Sequence, residues 1–170
     1  MRIPIVNEQD EIISYKERDE TTREDIRRIS SIWVFNNNKD FLIAKRQKNK
    51  TIDPDKWGPS VAGTLEEGET YLSNAIKELE EELGIKNVEL KPIGKIFYET
   101  SNSRRFSFRY SVTIDLPIES FIIQKSEVSE IKWINIDDLS KWYEKTPDEF
   151  VPSFGNGLKE LKKHLNENQS

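Results

Sequence analysis

The 170-residue sequence predicts an α+β fold, and three observations carry that prediction. Thr70 to Leu83 places Leu72, Ala75, Ile76, Leu79 and Leu83 at i, i+3, i+4, i+7 and i+11, the spacing of an amphipathic helix. Phe106, Phe108, Tyr110, Val112 and Ile114 alternate along their segment as a half-buried strand does. Strand-like and helix-like stretches interleave without an internal repeat, which predicts one layered domain.

Ile3 to Val6 and Glu11 to Tyr15 flank Asn7-Glu8-Gln9-Asp10 and read as an N-terminal hairpin. Lys16 to Arg28 is mostly charged and reads as a connector, within which Thr21 and Glu24 fit a capping box for one helical turn. Residues 1–28 are thus expected to be a hairpin and connector belonging to the same unit as the main domain, residues 29–170. Ser31 to Phe35 reads as a strand, Asn36-Asn37-Asn38 as a turn and Phe41 to Ala44 as the returning strand. A polar loop over Lys45 to Asp55 is closed by Lys56-Trp57-Gly58-Pro59. Thr70 or Ser73 caps the following helix, and Gly84 sits where a left-handed residue normally ends one. Val88 to Tyr98 and Phe106 to Ile114 are strands around a polar turn, Thr100 to Arg105. Phe121 to Gln124 and Ile131 to Ile134 are shorter ones. Asp137 or Asp138 caps a helix through Tyr143, Phe150, Pro152 and Phe154 read as core in preference to a partner contact, and Gly157 to Leu165 is a last amphipathic helix.

Composition excludes several functions. With 26 Lys and Arg against 31 Asp and Glu, the net charge is −5, and no basic block is present to meet duplex nucleic acid. Ser31 to Phe35, a short apolar run, meets Asn36 at once, far below membrane-spanning length. Met1 to Val6 is followed by Asn7, Glu8 and Asp10, leaving no room for a signal-peptide apolar region. The absence of cysteine excludes disulfides, thiolate metal sites and cysteine nucleophiles, and a cytoplasmic location is expected.

The chemistry-bearing stretch is Gly63 to Ile85, GTLEEGETYLSNAIKELEEELGI. On its helix Glu78, Glu81 and Glu82 are related by i+3 and i+4, so their carboxylates share a face. With Glu80 they repel one another, each like-charged i, i+4 pair costing roughly 0.2–0.5 kcal/mol. They also crowd the helix C-terminus, the wrong end of the dipole for anions. A solvated acidic face is one reading; a divalent cation that removes both penalties is the other, and hard carboxylate oxygens favour Mg²⁺ or Mn²⁺.

The spacing decides between them. Gly63, five residues, Glu69, seven residues, then Lys77-Glu78-Leu79-x-Glu81-Glu82-x-Gly84-Ile85 resembles the Nudix box, G-x5-E-x7-R-E-U-x-E-E-x-G-U, with lysine at the arginine position. Phe41 to Arg46, Asp55 to Pro59 and Ser126 to Ile134 extend the likeness over residues 30–143. The resemblance implies a Nudix α/β/α sandwich with a mixed sheet and a catalytic loop–helix, whose turn Gly63 and Gly68 permit. It implies Glu78, Glu81 and Glu82 as Mg²⁺ ligands, with Mn²⁺ as substitute. Glu69 would support the loop or a further ion, and Lys77 would orient the box glutamates in place of arginine. Lys77 lacks the planar five-donor fork of that arginine. The implied reaction is hydrolysis of a phosphoanhydride in a nucleoside diphosphate linked to another moiety, or a similar small diphosphate. Glu81 or Glu82 is the favoured proton acceptor, with Glu127 and Glu130 as outside candidates.

Arg46 and Lys45 could hold phosphate oxygens and Trp57 could stack on a base, although Trp57 before Gly-Pro also reads as buried packing. Arg104, Arg105 and Arg109 could likewise meet an anionic substrate or remain surface cations. The N-terminal half most resembles the isopentenyl-diphosphate-isomerase-like branch. Ala62 stands where that isomerase needs cysteine, and His164 is the single histidine, so a hydrolase is expected on that scaffold. A non-catalytic nucleotide-binding module and, behind it, the isomerase are the alternatives. Thr100, Ser101 and Asn102 carry no proline or tyrosine mark of substrate, and family members are often homodimers.

Overall fold

The computed structural model describes residues 1–101 and 103–167. Its nine strands and three α-helices fall into two compact units, each described in its own right. The first comprises Met1–Trp33 and Val61–Val112, the second Val34–Ser60 and Thr113–Ser170 as far as the described residues reach.

In the first unit, β1 (Arg2–Val6) and β2 (Ile12–Glu17) form the expected antiparallel hairpin, and β1 continues onto β3 (Ile26–Phe35) at Ile5–Arg27 and Val6–Ile26. The connector differs from expectation. A 3-10 turn spans Arg18–Glu20, Thr21 closes it by donating to the Arg18 carbonyl, and β3 begins at Ile26. β6 (Val61–Thr64) pairs antiparallel with β3, Gly63 lying opposite Ser30. β7 (Lys91–Glu99) and β8 (Arg104–Thr113) form a second hairpin, and β8 pairs with β3. Part of the turn expected at Thr100 to Arg105, Asn102, lies outside the described residues.

Helix α1 (Tyr71–Leu83) has both predicted caps. Thr70 and Ser73 form a reciprocal capping box, and Gly84 ends the helix at φ 71°. Its orientation departs from the expected stripe. Leu72 and Ile76 are each 45 % exposed, while Asn74, Ala75, Leu79 and Leu83 are buried. The apolar pattern was wider than one face, and the buried side is the one carrying a polar line, Asn74 and Glu78. Truncating Leu79 or Leu83 to alanine costs about 2–5 kcal/mol by the usual cavity penalty.

In the second unit, β4 (Phe41–Arg46) pairs with β9 (Val128–Ile134) and with β5 (Trp57–Pro59), and Phe35 meets Phe41 across the Asn36 turn. Residues 121–124 are not a strand; a 3-10 turn at Ile118–Ser120 leads into an irregular stretch. Asn135, rather than an aspartate, caps α2 (Ile136–Lys145) by accepting from the Asp137 N–H. α3 (Phe154–Glu167) starts earlier than glycine spacing suggested. Trp57, Trp142, Tyr143, Phe150 and Phe154 make an aromatic cluster with centroids 4.6–5.7 Å apart. No helix among the described residues is long and apolar enough to cross a membrane.

Candidate active site

The box segment leaves β6 at Thr64, turns through Gly68 at φ 86° and enters α1 at Tyr71. Gly68 is the turn residue the sequence suggested. Gly63 has another role: it lies inside β6, buried, and a Cβ built on it would fall 2.1 Å from Glu78 Cδ. Glycine leaves room there for the Glu78 carboxylate, which a side chain would displace.

Glu69 is held by three donors: the Glu66 N–H at 2.7 Å, Asn74 Nδ2 at 2.8 Å and Lys77 Nζ at 2.8 Å. Burial opposes its charge, but these bonds prevail and its pKa lies below the ordinary glutamate value. Lys77 also reaches Glu66, at 2.7 Å. Burial weighs against its ammonium; the bonds to Glu66 and Glu69 outweigh that and raise its pKa. Lys77 thus grips the loop glutamates, and among the described residues its bonds go to Glu66 and Glu69.

Glu78 has the opposite balance. Burial raises its pKa, and although Lys77 pulls it down, the charges of Glu81 and Glu69 push it up again. Asn74 Nδ2 donates to it at 3.4 Å. Glu81 is exposed and Glu82 half-buried on the same helix. Among the described residues no group of three acidic or histidine side chains is placed to hold a metal ion. The donor set itself fits a hard divalent ion: oxygen ligands only, one of them a half-buried carboxylate raised in pKa.

Asn74, fully buried, escaped the sequence reading. It accepts from Ser30 Oγ and donates to Glu69 and Glu78, so it joins β3 to two of the box carboxylates. Its signal was a polar residue four before Glu78 inside an apolar stripe.

The other candidates lie apart from this cluster in the chain. Lys45 Nζ pairs with Asp55 at 3.0 Å and sits 6.0 Å from the Trp57 ring, and Arg46 Nε donates to the Ile52 carbonyl at 3.1 Å. Trp57 is 6 % exposed and edge-on to Trp142, so its ring is a packing element of the second unit. Glu127 pairs with Lys50, and Glu130 is exposed opposite Lys45. Arg109 is no surface cation: it is buried, lies 5.0 Å from the Trp33 ring, donates to the Tyr98 hydroxyl, and burial pushes its pKa down to about 10.

The Nudix-domain family model matches residues 25–154. Nudix hydrolase 3 of Arabidopsis thaliana is 32 % identical over 155 residues, covering 84 % of this chain but only 20 % of the plant protein. An uncharacterised Nudix hydrolase of Yersinia pestis is 29 % identical over 98 % of this chain and 86 % of its own length. Among solved structures, a Deinococcus radiodurans protein superimposes with a TM-score of 0.78 at 22 % identity, over 96 % of this chain and 98 % of that one. A Caenorhabditis elegans Ap4A hydrolase does so at 0.61 and 18 %, over 84 % and 99 %. These likenesses establish the α+β Nudix fold. With its box intact but for Lys77 and lying wholly inside the matched region, the chain belongs to the Nudix family.

Proposed function

We propose that the chain is a divalent-metal-dependent hydrolase. Its substrate would be a nucleoside diphosphate linked to another moiety, or a similar diphosphate compound, cut at the phosphoanhydride bond. One observation carries this reading: the Glu78 carboxylate is half-buried against Gly63 among other glutamates, at a net electrostatic penalty that a bound cation removes. Glu78, Glu81 and Glu82 would hold Mg²⁺ or Mn²⁺, and Glu69 would brace the loop from which their helix starts. When bound, such an ion neutralises the bridging phosphates and acidifies a water.

The chain's own residues do the rest. Glu81 or Glu82 accepts the proton of the attacking water, a role suited to carboxylates on the accessible side of α1. Lys77 holds Glu66 and Glu69, and through them fixes the loop between β6 and α1. Lys45 and Arg46 are the proposed cations for phosphate oxygens. Ala62, exposed on β6, puts a methyl where an isomerase needs a thiol, which supports hydrolysis over isomerisation.

The test is a panel of nucleoside diphosphate derivatives, dinucleoside polyphosphates, nucleoside triphosphates and prenyl diphosphates, assayed with Mg²⁺ and with Mn²⁺. Phosphate-bearing products from at least one nucleoside compound, lost in Glu82→Gln, are expected. Binding without turnover across the panel would instead establish a non-catalytic module, and dimethylallyl diphosphate formed from isopentenyl diphosphate an isomerase.

A further inference from the structure

We propose that Asp10 is a positioning residue for the box, a single buried carboxylate that ties together the two ends of the loop between β6 and α1. The inference rests on the reading above that the box carboxylates take up a divalent cation. At the loop's entry, the Leu65 N–H donates to the Arg28 carbonyl at 3.0 Å, and Arg28 Nε in turn donates to Asp10 Oδ1 at 2.7 Å. At its exit, the hydroxyl of Tyr71, first residue of α1, is 3.1 Å from both Asp10 oxygens. Lys95 Nζ, from β7, adds a bond of 2.6 Å. The Asp10 side chain is only 6 % exposed, and its backbone holds the left-handed conformation at φ 64° that aspartate tolerates.

The same hairpin holds the middle of the loop. The Glu67 N–H donates to the Arg2 carbonyl at 2.9 Å, and Arg2 Nη1 is 3.1 Å from the Glu67 carboxylate. Hairpin and loop also wall an open cleft of about 380 Å³ that Pro4, Ile12, Tyr15, Glu66 and Glu69 help to line. Inside the loop, Glu69 bonds Asn74, and Asn74 bonds Glu78, so a displaced Tyr71 or Leu65 is felt at the acidic ridge. Asp10 lies outside the matched region 25–154.

The test compares the full-length chain with Asp10→Asn and with Tyr71→Phe, well below their melting temperatures. Amide exchange of residues 64–71 is measured without metal, and Mn²⁺ affinity by calorimetry. Faster loop exchange is expected in both variants, with Mn²⁺ affinity weakened about tenfold or more, as for the loss of groups that orient metal ligands. Unchanged loop exchange, or faster exchange with unaltered Mn²⁺ affinity, overturns the proposal. Tyr71→Phe removes one hydroxyl and decides the matter if Asp10→Asn fails to fold. If the wild-type chain takes up no Mn²⁺, the hydrolase reading falls, and loop exchange alone then decides the role of Asp10.

Discussion

The carboxylate of Glu78 occupies the volume that a side chain on Gly63 would fill: a Cβ there would lie 2.1 Å from Cδ and 2.2 Å from Oε1. Strand β6 and helix α1 therefore fit closely where the first residue of the box meets its half-buried glutamate.

Gly63→Ala is expected to fold and to lose function. The obstructing atoms belong to a flexible side chain, so Glu78 swings aside and the strand persists. Divalent-cation affinity should fall about 10–100-fold, the range seen when a ligand's supporting geometry is lost. Melting should shift by no more than about 2–4 °C, equivalent to about 1 kcal/mol in a chain of this size. Calorimetric titration beside a thermal melt checks both halves.

Glu78→Gln should be more stable than wild type at neutral pH. The folded-state pKa of Glu78 is raised by burial, so folding penalises its charged form. That penalty is complete above the raised value and vanishes as pH falls below the ordinary glutamate value of 4.5. Melting temperatures across pH 4 to 8 should show an advantage for the amide that closes on acidification. Equal melting temperatures at pH 7 would contradict the burial of an uncompensated charge, and cation affinity should fall in the same variant.

Much of this site was legible in the residues, and the gaps have physical causes. Box spacing, the Thr70 cap and the Gly84 stop are local signals, and each appears where local chemistry puts it. The rotation of α1 was not legible. Leu72 and Ile76 look as apolar as Leu79 and Leu83, but Ser30 on β3 and the bare backbone of Gly63 on β6 draw Asn74 and Glu78 inward. Gly63 read as a turn residue because sequence shows glycine and not the carboxylate that excludes a side chain. Asn135 caps α2 two positions before Asp137, the nearer of the two expected caps, a choice of register that propensity does not make. Asp10 was a turn residue by pattern; that Arg28, Tyr71 and Lys95 converge on it is a fact of tertiary structure. Arg109 read as one surface cation among several, since nothing local announces that Trp33 and Tyr98 close over it.

Lys77→Met should loosen the loop and remove a pH-dependent part of stability. Its ion pairs with Glu66 and Glu69 are partly exposed, so the loss is about 0.5–1 kcal/mol. The pKa of Glu69 is lowered in the folded chain, so the contribution is present above the ordinary value of 4.5 and is lost as pH falls through the lowered one. The melting difference between wild type and variant should therefore shrink in acid. Lys77→Arg keeps the charge and should recover most of the stability.

The central claim, that the acidic ridge of α1 grips a divalent ion, is tested most directly by titrating Mn²⁺ and Mg²⁺ into the full-length chain and into Glu81→Gln and Glu82→Gln by calorimetry. The account predicts saturable uptake by the wild type, weakened at least about tenfold in each variant while their melting temperatures hold. No uptake by the wild type, or equal uptake by all three, contradicts it.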